Sequence, residues 1–242
     1  MSISFLKAEW RKLAIANYEV SPEILKNYLP AYTELDSWNG KYYVSLIGFM
    51  FLNTKMLGLK IPFHINFEEV NLRFYVKFKE GDKWKRGVVF IKELVPKQAL
   101  TIVANTLYKE HYQAVPMNHS WKIDKETIAV EYGWKINSEL QTFSLEAENK
   151  LMEIPEGSEA EFITEHYWGY TKVSDSKTYE YEVRHPRWNT YPIKNHSIKV
   201  DFKKVYGSDF GFLNSQEPFS VMLAEGSEIS VENKKNISKF HQ

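Results

Sequence analysis

The sequence predicts a strand-dominated α+β fold with a large, curled or closed antiparallel sheet and a few helices. Three observations lead there. Strict apolar alternation recurs along the chain, as in NFEEVNLRFYV (66–76) and TIAVEYGWKIN (127–137). Aromatic residues, which favour strands, make up 15% of the chain. The connections are mostly short, and only one stretch keeps helical spacing over several turns.

Residues 9 to 19 read as the first strand. Ser21, Pro22 and Glu23 then open a short helix: a capping hydroxyl, a proline suited to the first turn and an acid at the positive helix end. Pro30 stops it near Leu29. Asn39-Gly40 marks a turn between two strand-like runs. Residues 66 to 79 and 85 to 95 form a hairpin around Glu80-Gly81-Asp82. Pro96 opens the one long helix, running to Tyr112, with Leu100, Val103 and Leu107 at helical spacing and Ala99, Ala104 and His111 beside them.

Strand 127 to 137 pairs with 142 to 149, and Ser158 to Glu161 forms a capping box for a short helix. A second hairpin follows, with a four-residue loop at Ser174 to Lys177. Its expected register sets Lys172 opposite Tyr179, Tyr170 opposite Tyr181, Trp168 opposite Val183 and His166 opposite His185. A strand at 197 to 203 comes next, and 218 to 232 reads as two strands or one strand bent at Gly226. No Pro/Gly/Ser-rich linker divides the chain, so residues 1 to 242 are expected to form a single domain.

Composition narrows the function. The absence of cysteine removes disulfides, thiolate metal sites and a cysteine nucleophile. Lys plus Arg and Asp plus Glu both number 31, with no basic cluster, which argues against nucleic acid. The longest nearly apolar run, 42 to 52, is too short to span a bilayer, and no signal-peptide core develops at the N-terminus. A cytoplasmic protein without membrane attachment is expected. There is no GxGxxG, Walker loop or GxSxG elbow. None of the seven histidines has metal-motif spacing, so neither metal nor cofactor is expected.

Three groups carry candidate chemistry. The first is the polar face of 66 to 76. Val70, Leu72, Phe74 and Val76 point one way, and Glu69, Asn71, Arg73 and Tyr75 the other, with Glu93 on the partner strand. That polar face is either a wetted sheet surface or the wall of a pocket. A buried Arg73 would need a carboxylate within ion-pair reach, Glu69 or Glu93. The second group is Tyr108, Glu110, His111 and Tyr112, with the three rings on neighbouring helical turns. The third is His166 and His185 with Tyr170 and Tyr181 in an aromatic sheet face. The same residues serve an enzyme or a non-catalytic binder of an unknown small molecule. Exposed aromatics forming a homodimer surface are a third reading.

WNGKYYVSLIGF, NFEEVNLRFYV, RGVVFIKELVP, LYKEHY, EHYWGYT, YEVRHPRW and SVMLAEGSEISV, in that order, resemble the YqjF-like family of uncharacterised bacterial proteins over about residues 9 to 231. The resemblance implies an acetoacetate-decarboxylase-like fold, a barrel-like sheet with a central pocket, of which 66 to 76 would be a wall. The decarboxylase itself carries Gly-Tyr-Pro-Lys-Lys, and its first lysine forms a Schiff base. The matching stretch here is Lys109 to Gln113, with Tyr112 at the reactive-lysine position. A phenol forms no imine. The resemblance therefore implies a pocket for a small oxo acid, carbonyl or lactone compound, without Schiff-base chemistry.

Overall fold

The computed structural model describes residues 4–98, 101, 105 and 109–237. Strands dominate it, as the alternation predicts. The larger sheet is built from β1 (Leu6–Val20), β3 (Tyr42–Met56), β4 (Phe67–Glu80), β5 (Lys83–Val95), β11 (Trp168–Ser174), β12 (Lys177–Arg184) and β15 (Ser220–Val231). Their pairings run β15–β1–β3–β4–β5–β11–β12, and β12 pairs again with β15 through Val183↔Val231 and Arg184↔Ser230. The hydrogen-bonded circuit thus closes on itself, leaving an interior face. Short strands decorate it: β2 (Thr33–Leu35) on β4, β6 (Tyr112–Ala114) on β5, β10 (Met152–Glu153) and β13 (Asn189–Tyr191) beside β15, and β16 (Lys235–Ile237) on β12.

The second sheet has the order β14 (Ile193–Lys199), β9 (Glu139–Glu148), β8 (Thr127–Ile136) and β7 (Met117–Ile123). Its buried face, Ile128, Val130, Tyr132 and Trp134 with Phe143 and Leu145, packs on Val70, Leu72, Phe74 and Val76 of β4 and on Val44 and Leu46 of β3. Burial of these side chains contributes roughly 1.5–3 kcal/mol each before conformational entropy is counted. Alternation then turns Phe67, Glu69, Asn71, Arg73 and Tyr75 into the closed circuit, where all are buried. The polar face of 66 to 76 is an inner wall, not a wetted surface.

The helices are short. In α1 (Pro22–Leu25) the Ser21 side chain accepts from Glu23 N, and in α2 (Glu159–Thr164) Ser158 Oγ accepts from Glu161 N, both as expected. The Glu161 carboxylate takes the Gly157 N–H, one residue before the cap. The stretch from 218 to 232 holds one bent strand, β15. Gly226 has φ +79, and a Cβ there would lie 2.0 Å from the Trp10 carbonyl oxygen. No helix among the described residues is long and apolar enough to cross a membrane.

Three expectations are corrected. The strand expected at 197 to 203 starts at Ile193 and stops at Lys199, because Asp201 caps α3 (Phe202–Tyr206) by accepting from Lys204 N. The expected helix from Pro96 includes helical Gln98, Thr101 and Asn105, while residues 99–100, 102–104 and 106–108, Tyr108 among them, lie outside the described residues. It does not reach Tyr112. Lys109 takes a left-handed φ of +61, and Tyr112–Ala114 pairs parallel with Glu93–Val95. His111 and Tyr112 are therefore not on successive helical turns.

The second hairpin is shifted by one residue from its expected register. A bulge between Lys172 and Ser174 sets Gly169 opposite Tyr181, and Tyr170 opposite Glu180. Tyr170 and Tyr181 therefore occupy opposite faces. His166 precedes β11 and His185 follows β12, so the two histidines are not a ladder pair.

Candidate functional site

The closed circuit surrounds a cavity of about 130 Å³. That is on the order of the space that takes up one benzene-sized molecule. Its apolar lining comes from Trp10 of β1, Phe51 of β3, Phe67 of β4, Val88 and Phe90 of β5 and Trp188. Its polar lining comes from Glu69, Arg73, Glu93, Glu110, Tyr112, His166, Tyr181 and His185. Among the described residues, no lysine lines it. Lys109 is exposed.

A β-bulge arranges part of this lining. Asn71 pairs with Glu93 and Leu72 with Lys92, but Arg73 pairs with Phe90. One extra residue on β5 therefore lets Glu93 and Phe90, three positions apart, face the same interior. The parallel strand β6 then sets Tyr112 beside Glu93. Asn105 fixes the approach by bonding both Tyr112 O (2.9 Å) and Tyr112 N (2.8 Å).

The floor is a cluster of buried carboxyl groups. Glu69 accepts from Asn71 Nδ2 at 2.9 Å and from the Tyr112 hydroxyl at 3.2 Å. Glu110 accepts from Thr171 Oγ1 at 2.6 Å and from the Tyr181 hydroxyl at 2.9 Å. Glu93 shares the Tyr112 hydroxyl, and its Oε2 has no partner. Burial pushes all three carboxyls up, and the Glu110 and Glu69 charges push Glu93 higher still. The three titrate as one group, each raised above the ordinary carboxylate range. Burial also raises the Tyr112 and Tyr181 phenols, helped by the neighbouring carboxylates, so both hydroxyls keep their protons.

Arg73 is buried in the wall, but the expected ion pair with Glu69 or Glu93 does not form. Glu69 lies four residues up the same strand, roughly 13 Å along it at the usual rise. The bulge sets Glu93 against Asn71 instead. The guanidinium donates through one Nη to Ile163 O at 3.4 Å and lies 5.7 Å from the Tyr75 ring centroid. Its Nε is buried without a partner. No carboxylate among the described residues is within ion-pair distance of it.

His166 follows α2 and is fully enclosed. Its Nε2 is 3.1 Å from Asp36 Oδ2, which also takes the Arg86 Nε–H at 2.7 Å. Its ring packs on Tyr75 and Phe162, with centroids 4.7 and 5.0 Å away. Burial pushes its pKa down to about 4 in spite of the Asp36 bond. His185 stacks on Trp188 at 4.3 Å, and its Nδ1 is 2.9 Å from Pro186 O. Burial lowers its pKa to about 4 as well.

The structure therefore gathers Glu69, Asn71, Arg73, Glu93, Glu110, Tyr112, His166, Tyr181 and His185 in or directly behind one cavity. Tyr170 is the exception. The hairpin shift turns it outward, where its hydroxyl donates to Lys85 O at 3.3 Å and its ring meets Phe78. Sequence reasoning missed Asp36, Arg86 and Thr171. Asp36 sits 130 residues from His166, in the short strand-like run before the Asn39-Gly40 turn, so no spacing pattern announces it.

Comparison with known proteins agrees with this architecture. Acetoacetate decarboxylase from Legionella pneumophila aligns over 98% of this chain and 90% of its own, with a TM-score of 0.65 and 11% identity. The enduracididine biosynthesis enzyme MppR, complexed with pyruvate, aligns over 99% and 93%, with a TM-score of 0.67 and 12% identity. At such identities the likeness shows the fold, which is acetoacetate-decarboxylase-like. "Uncharacterized protein YqjF" of Bacillus subtilis (strain 168) is 27% identical over 191 residues, 77% of this chain and 75% of that protein. The model of the DUF2071 family, "Uncharacterized conserved protein", matches residues 7–228, and the chain belongs to that family.

Proposed function

We propose that this chain is a small-molecule pocket protein that acts on a small oxo acid or a related carbonyl or lactone compound, without a cofactor or a Schiff-base lysine. One observation carries the reading: Arg73 is a buried cation in the cavity wall with no carboxylate in ion-pair range among the described residues. A buried charge costs several kcal/mol unless a counter-charge meets it. A ligand carboxylate supplies one, and a guanidinium fork suits it.

The carboxyl cluster then provides proton chemistry in the same cavity as the anchored acid. Burial and the neighbouring carboxylates raise Glu93 and its Oε2 lacks a partner, so in its protonated form it serves as a donor to a ligand carbonyl. Glu69 and Glu110, with pKa values also raised, can take a proton from carbon or return one near neutral pH. Tyr112 couples Glu93 to Glu69 through its hydroxyl. The pyruvate complex of MppR, which has the same fold, supports an oxo acid as the first ligand class to try. Schiff-base chemistry is left aside because the lining contains no lysine among the described residues.

The test is proton exchange. Pyruvate and acetoacetate are incubated with the protein in deuterated buffer, and loss of their methyl and methylene proton signals is followed by NMR. Exchange faster than in buffer alone, and slowed by Glu93→Gln, is the expected result. Saturable binding with no exchange would make the protein a non-catalytic binder, and no binding of any small acid would overturn the reading.

A further inference from the structure

We propose that His166 reads a hydroxyl on the ligand, so that the cavity takes small acids bearing an O–H: hydroxy acids, or oxo acids in their enol form. This rests on the reading of Arg73 as the anchor of a carboxylate.

Burial alone would raise the Asp36 carboxyl, but the bonds from His166 and Arg86 outweigh that and hold it below the usual carboxylate range. An ionised carboxylate only accepts hydrogen bonds. The proton of the neutral imidazole is therefore on Nε2, which donates to Asp36 Oδ2. Nδ1 is left as a lone-pair acceptor. The His166 side chain has 0% exposure, its ring lines the cavity, and Nδ1 has no partner in the protein. A buried acceptor without a donor is costly. The charged groups around the ring are Asp36, Arg86 and Arg73, and the aromatic ones are Tyr75 and Phe162. Both cations are donors, but neither bonds Nδ1: Arg86 Nε donates to Asp36, and Arg73 donates through one Nη to Ile163 O while its Nε makes no bond in the protein.

Position links this acceptor to the anchor. The Arg73 guanidinium carbon and the His166 ring lie 5.7 and 4.7 Å from the centroid of the same Tyr75 ring. Tyr75 is itself fixed by its hydroxyl, 2.6 Å from Ser45 Oγ. Both side chains line the same cavity, so one small molecule that reaches both meets a cation with its carboxylate and a lone pair with its O–H. A carbonyl oxygen at the same point would face lone pair to lone pair.

The experiment compares racemic lactate with propionate, which has the same three carbons and no hydroxyl, by titration calorimetry on wild type, His166→Phe and Arg73→Met. The expected result is lactate at least about fivefold tighter in wild type, a ratio near one in His166→Phe, and both acids weakened in Arg73→Met. Equal affinity for the two acids, still dependent on Arg73, overturns the role of His166 and leaves the anchor standing. Binding of neither acid overturns both. Long-range proton–nitrogen spectra of histidine-labelled wild type remove any dependence on the variant's folding. They should show the Nε2–H tautomer for His166 and a shift of Nδ1 on adding lactate but not propionate; a proton on Nδ1 in the free protein overturns the inference.

Discussion

A Cβ added to Gly169 would lie 2.1 Å from Cζ of Tyr181. The two residues are register partners in the second hairpin, and the aromatic ring lies over the glycine. That close approach lets the Tyr181 hydroxyl reach Glu110 at 2.9 Å. The Gly169→Ala variant must push the ring aside. It should lose about 1–3 kcal/mol in denaturant unfolding, the usual cost of overpacking a filled interior. Unchanged stability would mean that Tyr181 is not held where the site needs it.

The carboxyl cluster makes a pH prediction. Burial, then the Glu110 and Glu69 charges, raise Glu93 well above its ordinary value of 4.5. A group with a raised native pKa contributes stability that is fully present below the unfolded value and is lost as pH rises through the native value. Glu93→Gln fixes the neutral form at every pH. Its stability relative to wild type should therefore grow as pH is raised from about 5 to about 9. Parallel pH profiles of the two proteins would show that Glu93 ionises without penalty.

Lysine chemistry is tested by trapping. Tyr112, which the sequence resemblance sets at the decarboxylase's reactive-lysine position, lines the cavity, and Lys109 is exposed. Borohydride treatment in the presence of acetoacetate should leave the protein mass unchanged. A stoichiometric adduct on any lysine would contradict the proposed mechanism.

What the sequence revealed follows from which forces are local. Period-two alternation placed Glu69, Asn71 and Arg73 on one face of β4, because a strand turns each successive side chain to the other side. It could not say what faced them. The bulge in β5, which brings Glu93 and Phe90 to one side, and the bulge in β11, which parts Tyr170 from Tyr181, each add one residue to a ladder and reverse the parity beyond it. Lys109 at positive φ departs from the helical pattern that the sequence continues to Tyr112. The Asp36–His166 contact joins distant segments and leaves no periodic trace. The missing partner of Arg73 was the hardest to foresee, since buried cations are paired as a rule and only the register shows that neither glutamate reaches it.

The central claim is that Arg73 anchors an acid in the cavity, and the affinity of Arg73→Met for acetoacetate tests it most directly. A charge-assisted bond contributes roughly 1.5–3 kcal/mol, so the dissociation constant measured by calorimetry should rise by more than about tenfold while the variant stays folded. A folded Arg73→Met that binds acetoacetate as tightly as wild type would contradict the account.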